Sequence, residues 1–396
     1  MRNPLSPASA APLENDDLLT EILLRLPPQP SSLPRASSVC KRWRRLVSDP
    51  GFVRHFRIHH RRNPPLLGFF RGLNFIPTMD PTNRVPYGCF SLQLDRWRGD
   101  DHILWFNTLG CRHGLLLIFL PKRPQLLVWD PITSDQHPIA TPPDFAQLVW
   151  DGGGPVHGTV LRAAGDVHHF QFQVVMVFTV EQQLNVRAVV QVYSSETGTW
   201  GNPISTPLPP QESSSAILFP NEWVPDVLVG DSLYWLLGKS NILEFDLDRQ
   251  RLAVIPLPVA VHMYAGSNCE FLVMRADGGG LGCLVMSEFS AQLWKRKADC
   301  DGVASWVLGR TIELDKLLSL NTETRGPLKI IGFAEENSVV LLQTDFYRFT
   351  IQLQSLQFNK IFDSNCGWSY HPFESIYPAV TLNGGGHDGA EVLDKI

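Results

Sequence analysis

The stretch "LLLIFLPKRPQLLVWDPIT", Leu115–Thr133, contains two short strand-like runs, one starting at Leu115 and one at Leu126. The second ends in an aromatic residue, Trp129, and the polar turn Asp130–Pro131. Short apolar runs bounded by turn residues read as buried strands. The pair recurs as "VVMVF" and "VVQVYSSET" from Val174 and Val189, and as "LYWLL" and "ILEFDLDR" from Leu233 and Ile242. Fainter copies are "CLVMS" with "AQLWKRKA", from Cys283 and Ala291, and "VVLLQ" with "FYRFTIQL", from Val339 and Phe346. The first runs start 59, 59, 50 and 56 residues apart.

A repeat of about 50 residues built on adjacent strands fits a kelch-like propeller blade, in which each sheet buries its faces against its neighbours. The recurring pair reads as two adjacent inner strands, and the aromatic-then-polar turn as the hairpin that leads to the outer strand. Five internal copies leave the ring open. "LLGFF" (66–70) and "CFSLQL" (89–94) precede them and "SIYPAVTL" (375–382) follows. A sixth blade made from both ends would remove the free sheet edges. The expected fold is mainly β: a small all-α module of three helices, then a β-propeller of six blades. A β-sandwich is the alternative.

Upstream of the repeats the pattern is helical. Asn15 is a good N-cap, and Asp16 and Asp17 fall in the first turn, where the helix dipole favours negative charge. "LLTEILLRLPP" follows and is ended by Pro27 and Pro28. Its apolar residues cover more than half of the helix circumference, wider than the stripe of an ordinary surface helix. A second helix is expected over Leu33–Val39 and a third over Cys40–Ser48, stopped by "SDPGF". In the third, Val39, Trp43 and Leu46–Val47 share one face. A unit of about 40 residues usually needs a disulfide, a metal or a partner. Seven cysteines with no C-x-x-C pair favour neither of the first two and fit a reducing compartment, so a partner is expected.

Charge divides the chain in the same place. Residues 1–62 hold 11 Lys+Arg against 5 Asp+Glu, and the remainder holds 23 against 34. With a net charge of -5, nothing draws the whole chain to nucleic acid or membrane. Signal-peptide and membrane-span patterns are missing, so cytosol or nucleus is expected. The basic cluster Lys41, Arg42, Arg44 and Arg45 reads as a solvated helix face in preference to an import signal or a nucleic-acid contact, because Trp43 lies on the apolar side.

The stretch from Leu13 to Phe56 resembles the F-box. The match runs through Leu13, Leu18, Ile22, Leu26, Pro27, Val39, Cys40, Lys41, Trp43, Arg44, Leu46, Asp49, Pro50 and Phe52. Two departures are Glu14, where the family usually has proline, and a link "PPQPSSLP" that is about two residues longer than the family pattern. With a kelch-like β domain behind it, the chain resembles the plant family of F-box-associated proteins, especially grass-type members. The resemblance implies docking on a Skp-type adaptor, and through it on cullin and a RING protein, by Leu13, Leu18, Ile22, Leu26, Pro27, Leu33, Val39, Cys40, Trp43 and Leu46. It implies that the β domain recruits an unknown protein substrate for ubiquitination. The expected division is a disordered N-terminus (1–12), the F-box (13–58), a linker (59–65), the propeller (66–383) and a mobile tail (384–396).

Other motifs carry less. His55, His59 and His60, and the pair His168–His169, lack acidic or cysteine companions at ligand spacing, so no metal is expected. Gly152–Gly154, Gly278–Gly280 and Gly384–Gly386 match no phosphate loop, and no cofactor is expected. Trp129, Trp200, Trp235, Trp294 and Trp306 read as blade packing. Trp150, Trp223 and the loop 207–223 are the candidates for target contact. The expected role is a non-catalytic substrate receptor of an SCF-type ligase. The alternatives are a ligase-independent binding protein with a vestigial F-box, and a propeller enzyme, for which no acid pair or nucleophile motif speaks.

Overall fold

The computed structural model describes residues 15–92, 106–142, 145, 156–162, 171–182, 185–209, 226–238, 240–258, 269–298, 304–320, 327–361 and 370–378. They fall into two packing units. One gathers residues up to Pro65 with Met79–Pro86 and the segment from Ser375; the other holds Leu66–Thr78 and Tyr87–Glu374.

Among its described residues the first unit contains four helices: α1 (Asp16–Leu24), α2 (Ser32–Ser37), α3 (Lys41–Val47) and α4 (Pro50–His59). Asn15 caps α1 as expected, its side chain accepting from the Asp17 and Leu18 amides at 2.8 and 3.3 Å. The expectation of three helices is corrected. "SDPGF" does end α3, but the same residues start α4. The Asp49 carboxylate accepts from the Phe52 amide at 2.9 Å, and Pro50 occupies the first turn, where its missing N–H costs nothing. Leu19, Leu23, Leu33, Ala36, Val47, Phe52 and Phe56 form the core, joined by Ile376 from far along the chain. His60 donates through Nε2 to the Leu24 carbonyl at 2.9 Å, satisfying one orphan group at the end of α1.

The second unit is a six-bladed propeller. Blade 1 runs β3 (Asn107–Arg112), β4 (Leu115–Leu120), β5 (Gln125–Trp129) and β6 (Gln136–Ala140), after β1 (Leu66–Arg71) and β2 (Asn74–Pro77) of the closing blade. Blade 2 holds β7 (His157–Arg162), β8 (Phe172–Gln182), β9 (Asn185–Ser194), β10 (Thr199–Trp200) and β11 (Ile204–Pro207). Blade 3 holds β12 (Val227–Val229), β13 (Ser232–Leu237), β14 (Asn241–Asp246) and β15 (Arg251–Pro256). Blade 4 holds β16 (Cys269–Arg275), β17 (Leu281–Ser287), β18 (Ser290–Ala298) and β19 (Ala304–Glu313), with a one-turn helix α5 (Leu314–Leu317) after it. Blade 5 holds β20 (Lys329–Ala334), β21 (Val339–Gln343), β22 (Arg348–Gln352) and β23 (Phe358–Ile361). In each of these sheets neighbouring strands are antiparallel.

The recurring pairs are the second and third strands of each blade, not the innermost. Strand β3 abuts β7 and the closing strand β24 (Tyr370–Glu374), β16 abuts β12 and β20, and β20 abuts β24, so the first strands and β24 form the inner ring. The middle pair is buried on both faces and reads as continuous apolar sequence; β4 is buried at all six residues.

Closure uses both ends of the domain. Strand β24 (Tyr370–Glu374) pairs with β1 from Leu66↔Glu374 to Arg71↔Tyr370. The expected partner, "SIYPAVTL", is corrected: "YHPFE" just before it makes the strand, and Ile376 belongs to the helical core instead. Pro372 is tolerated because the inner strand has a ladder on one side only. "CFSLQL" forms no strand over its described residues, Cys89–Leu92. Phe90 instead joins Phe70, Phe75 and Phe373 in an aromatic cluster that reaches Trp129 of blade 1, 5.7 Å from Phe70.

Candidate functional site

On the helical unit, α1 carries two apolar stripes. Leu19 and Leu23 point inward and are wholly buried. Leu18 and Ile22, each one position earlier, are 49% and 40% exposed. An i, i+4 pair shares one helix face, so the outward stripe is continuous over a turn. Val39 and Cys40, at the junction of α2 and α3, are also exposed, Val39 at 60%. Pro27 is exposed; Leu26, Trp43 and Leu46 are half-buried and pack on the helical core; Leu33 is inside it. Leu13, together with Glu14, lies outside the described residues.

The basic cluster is partly engaged within this unit. Arg42 donates through Nε to Asp16 at 2.7 Å, and Arg45 lies 4.0 Å from the same carboxylate. Arg44 donates to the Ser37 carbonyl at 3.3 Å. The Asp16–Arg42 pair brings the start of α1 to the start of α3, next to Val39 and Cys40. The histidines His55, His59 and His60 sit on or just after α4, and no metal-binding cluster occurs among the described residues.

The propeller holds a second site that sequence reasoning missed. Arg112, at the end of β3, forks across the inner ring. Its Nη1 donates to Asp226 and, at 3.1 Å, to Thr159 Oγ1; its Nη2 donates to Glu335 at 2.5 Å and to the Asp226 carbonyl at 3.0 Å. Glu335 also accepts from Arg275 at 3.0 Å and from the Leu228 amide at 3.1 Å. One guanidinium therefore ties blade 1 to blades 2, 3 and 5, and Arg275 adds blade 4. Arg112, Asp226 and Glu335 have side chains no more than 11% exposed. The two carboxylates hold the guanidinium pKa above its usual value, against the pull of burial. Burial pushes the Glu335 carboxyl up, and the two arginines pull it down.

Glu374 ends the closing strand and accepts from the Asn337 amide at 2.8 Å, the Asn337 side chain at 2.7 Å and the Glu336 amide at 3.2 Å. Burial outweighs these donors and raises its pKa to about 7. The signal for this site was available. Arg112, Arg162 and Arg275 are each the last residue of a blade's first strand, Glu335 follows the last residue of another, and Glu374 ends the closing strand. The repeat was legible in its apolar middle, and the charged position at the end of the first strand, present in four of the five repeats, lay just outside it.

The expected packing tryptophans are placed as blade seams. Trp129 and Trp235 are buried. Trp200 donates from blade 2 to the Ala140 carbonyl of blade 1 at 2.8 Å, and Trp306 from blade 4 to the Pro256 carbonyl of blade 3 at 2.9 Å. Trp150, Trp223 and most of the loop 207–223 lie outside the described residues, as do His168–His169, Gly152–Gly154 and Gly384–Gly386.

Fold and site together define a protein with a small helical module and a six-bladed propeller. A family profile described as "F-box domain" matches residues 15–55, and one described as "F-box protein AT5G49610-like, beta-propeller" matches residues 107–381. The chain belongs to this family of F-box proteins with a β-propeller. Its relatives include three Arabidopsis thaliana proteins. The F-box protein At3g16210 is 29% identical over 62% of this chain and 60% of its own length. The F-box protein At5g03970 is 28% identical over 62% and 58%, and the F-box protein At5g49610 is 25% identical over 71% and 74%. The chain thus spans about 60% of the length of the first two. Among solved structures, the β-propeller domain of Myceliophteria thermophila Cps50 (Swd1) aligns with a TM-score of 0.31 at 11% identity, covering 65% of this chain and 84% of that one.

Proposed function

We propose that the protein is a substrate-recognition subunit of an SCF-type ubiquitin ligase, acting in cytosol or nucleus. The helical module (13–58) docks on a Skp-type adaptor, which links it to cullin and a RING protein. The propeller recruits the protein to be ubiquitinated. The subunit contributes proximity between target and ubiquitin-charged enzyme, not a catalytic group.

The observation that carries this reading is the second apolar stripe of α1. Leu18 and Ile22 face outward although the same helix already fills its own core through Leu19 and Leu23. Covering each exposed leucine or isoleucine with a partner contributes roughly 1.5–3 kcal/mol. The family to which the chain belongs, and the F-box match over residues 15–55, support the same assignment.

The test is capture of the adaptor by Ile22→Asp and Val39→Asp variants of the full chain. Both positions are exposed, so these changes spare the core, whereas Leu26 and Trp43 pack against it. The expected result is loss of adaptor with unfolding shifted by no more than about 0.5 kcal/mol. Undiminished capture by the double variant refutes the docking surface.

A further inference from the structure

The outer edges of the six blades are not alike. Strand β6 carries Pro138 in its middle, and the outer position of blade 2 is broken into β10 and β11 by Gly201–Asn202–Pro203. Strands β2 and β15 end in proline, and β23 is four residues long with Lys360 in it. Short strands, prolines and lysines are the devices that keep an edge from pairing with another chain. Strand β19 is ten residues long, contains no proline or lysine, and among the described residues pairs with β18 alone.

Its exposure confirms an open edge. Ala304, Ser305, Val307 and Leu308 are exposed, Val307 at 43% and Leu308 at 45%. These two neighbours point to opposite faces of the sheet, so apolar surface flanks the edge on both sides. A bulge at Gly309 ends the regular stretch: Trp294 faces Leu308, and Leu293 faces Arg310. The free run is therefore Ala304–Leu308.

Charge marks what the edge would take. The chain beyond residue 62 holds 23 Lys+Arg against 34 Asp+Glu, yet Lys295, Arg296 and Lys297 form a run of three cations on β18. They lie directly across the ladder from Val307, Trp306 and Ser305. A basic strand behind an open apolar edge, on an otherwise acidic domain, favours an acidic extended peptide over a second copy of the domain, which would be repelled.

We propose that the β18–β19 edge of blade 4 binds an extended acidic segment of a partner protein by strand addition at Ala304–Leu308. This deepens the reading of the propeller as the recruiting domain and rests on it. Backbone pairing along β19 supplies affinity, and alternate side chains of the segment meet Val307 on one face and Leu308 on the other, with Lys297 and its neighbours selecting for acid.

The experiment uses the full chain with its adaptor and a fluorescein-labelled peptide of about ten residues alternating valine and glutamate, read by anisotropy. The expected result is binding that weakens with salt, falls about tenfold or more in Val307→Glu/Leu308→Glu, falls in Lys297→Glu, and is unchanged in Arg251→Glu on the edge of blade 3. A valine–lysine peptide should not bind. The proposal is overturned if the wild type does not bind the acidic peptide, if it binds the lysine peptide equally, or if the double variant binds as well as wild type. It is also overturned if sedimentation shows a dimer that the double variant dissolves, since the occupant is then a second copy. Adaptor capture, measured on the same samples, separates the outcomes: its loss in the wild type sinks the ligase reading, and its retention with no peptide binding sinks only the edge.

Discussion

Replacing Arg112 by methionine tests the claim that one guanidinium holds the inner ring together. The side chain leaves similar bulk but removes both ion pairs. Glu335 keeps Arg275 at 3.0 Å and the Leu228 amide at 3.1 Å. Asp226, 7% exposed at its side chain, loses the guanidinium that neutralises it. Breaking a buried pair and leaving one charge behind costs about 3–5 kcal/mol, more than the net worth of the intact pair, because the desolvation of the orphan is no longer offset. The expected loss in Arg112→Met is therefore about 3–5 kcal/mol, read by urea unfolding of the propeller followed by tryptophan fluorescence. Adding Asp226→Asn should recover a large part of it, since the amide carries no charge to strand. A loss below about 1 kcal/mol, or a double variant no more stable than the single one, would refute the reasoning.

Glu374 gives a pH test. Its folded pKa, raised to about 7 by burial, means that its contribution to stability is full below the unfolded carboxyl pKa and is lost as pH rises through 7. The loss of stability between pH 5 and pH 8 should therefore be smaller in Glu374→Gln, measured as unfolding midpoint against pH. At Asp49, alanine removes the acceptor for the Phe52 amide and should lower the stability of the helical unit by about 1 kcal/mol, with asparagine restoring most of it. Circular dichroism melts of the full chain, followed at the helix band, check both substitutions.

Local pattern made much of this protein legible. Val174–Phe178 and Leu233–Leu237 are buried middle strands, and such strands are apolar at every position, so their pairs stand out and their spacing counts the blades. The two stripes of α1 were visible as an apolar arc too wide for one face. The Asp49–Pro50 pair was visible too, but one dipeptide can end a helix and begin the next, and only the observed cap at Phe52 distinguishes the two.

The sequence alone thus determined the class of fold and the helical module, because strand and helix periodicity depend on neighbours a few residues apart. Tertiary structure decided which strand lies innermost, which segment closes the ring, and how the buried charges pair. Arg112 meets Asp226 and Glu335 across 114 and 223 residues of chain. No local pattern couples positions that far apart. Closing the ring brings them within hydrogen-bonding distance, and the buried inner ring then makes their pairing compulsory, since a charge left there alone would have neither water nor a counter-ion.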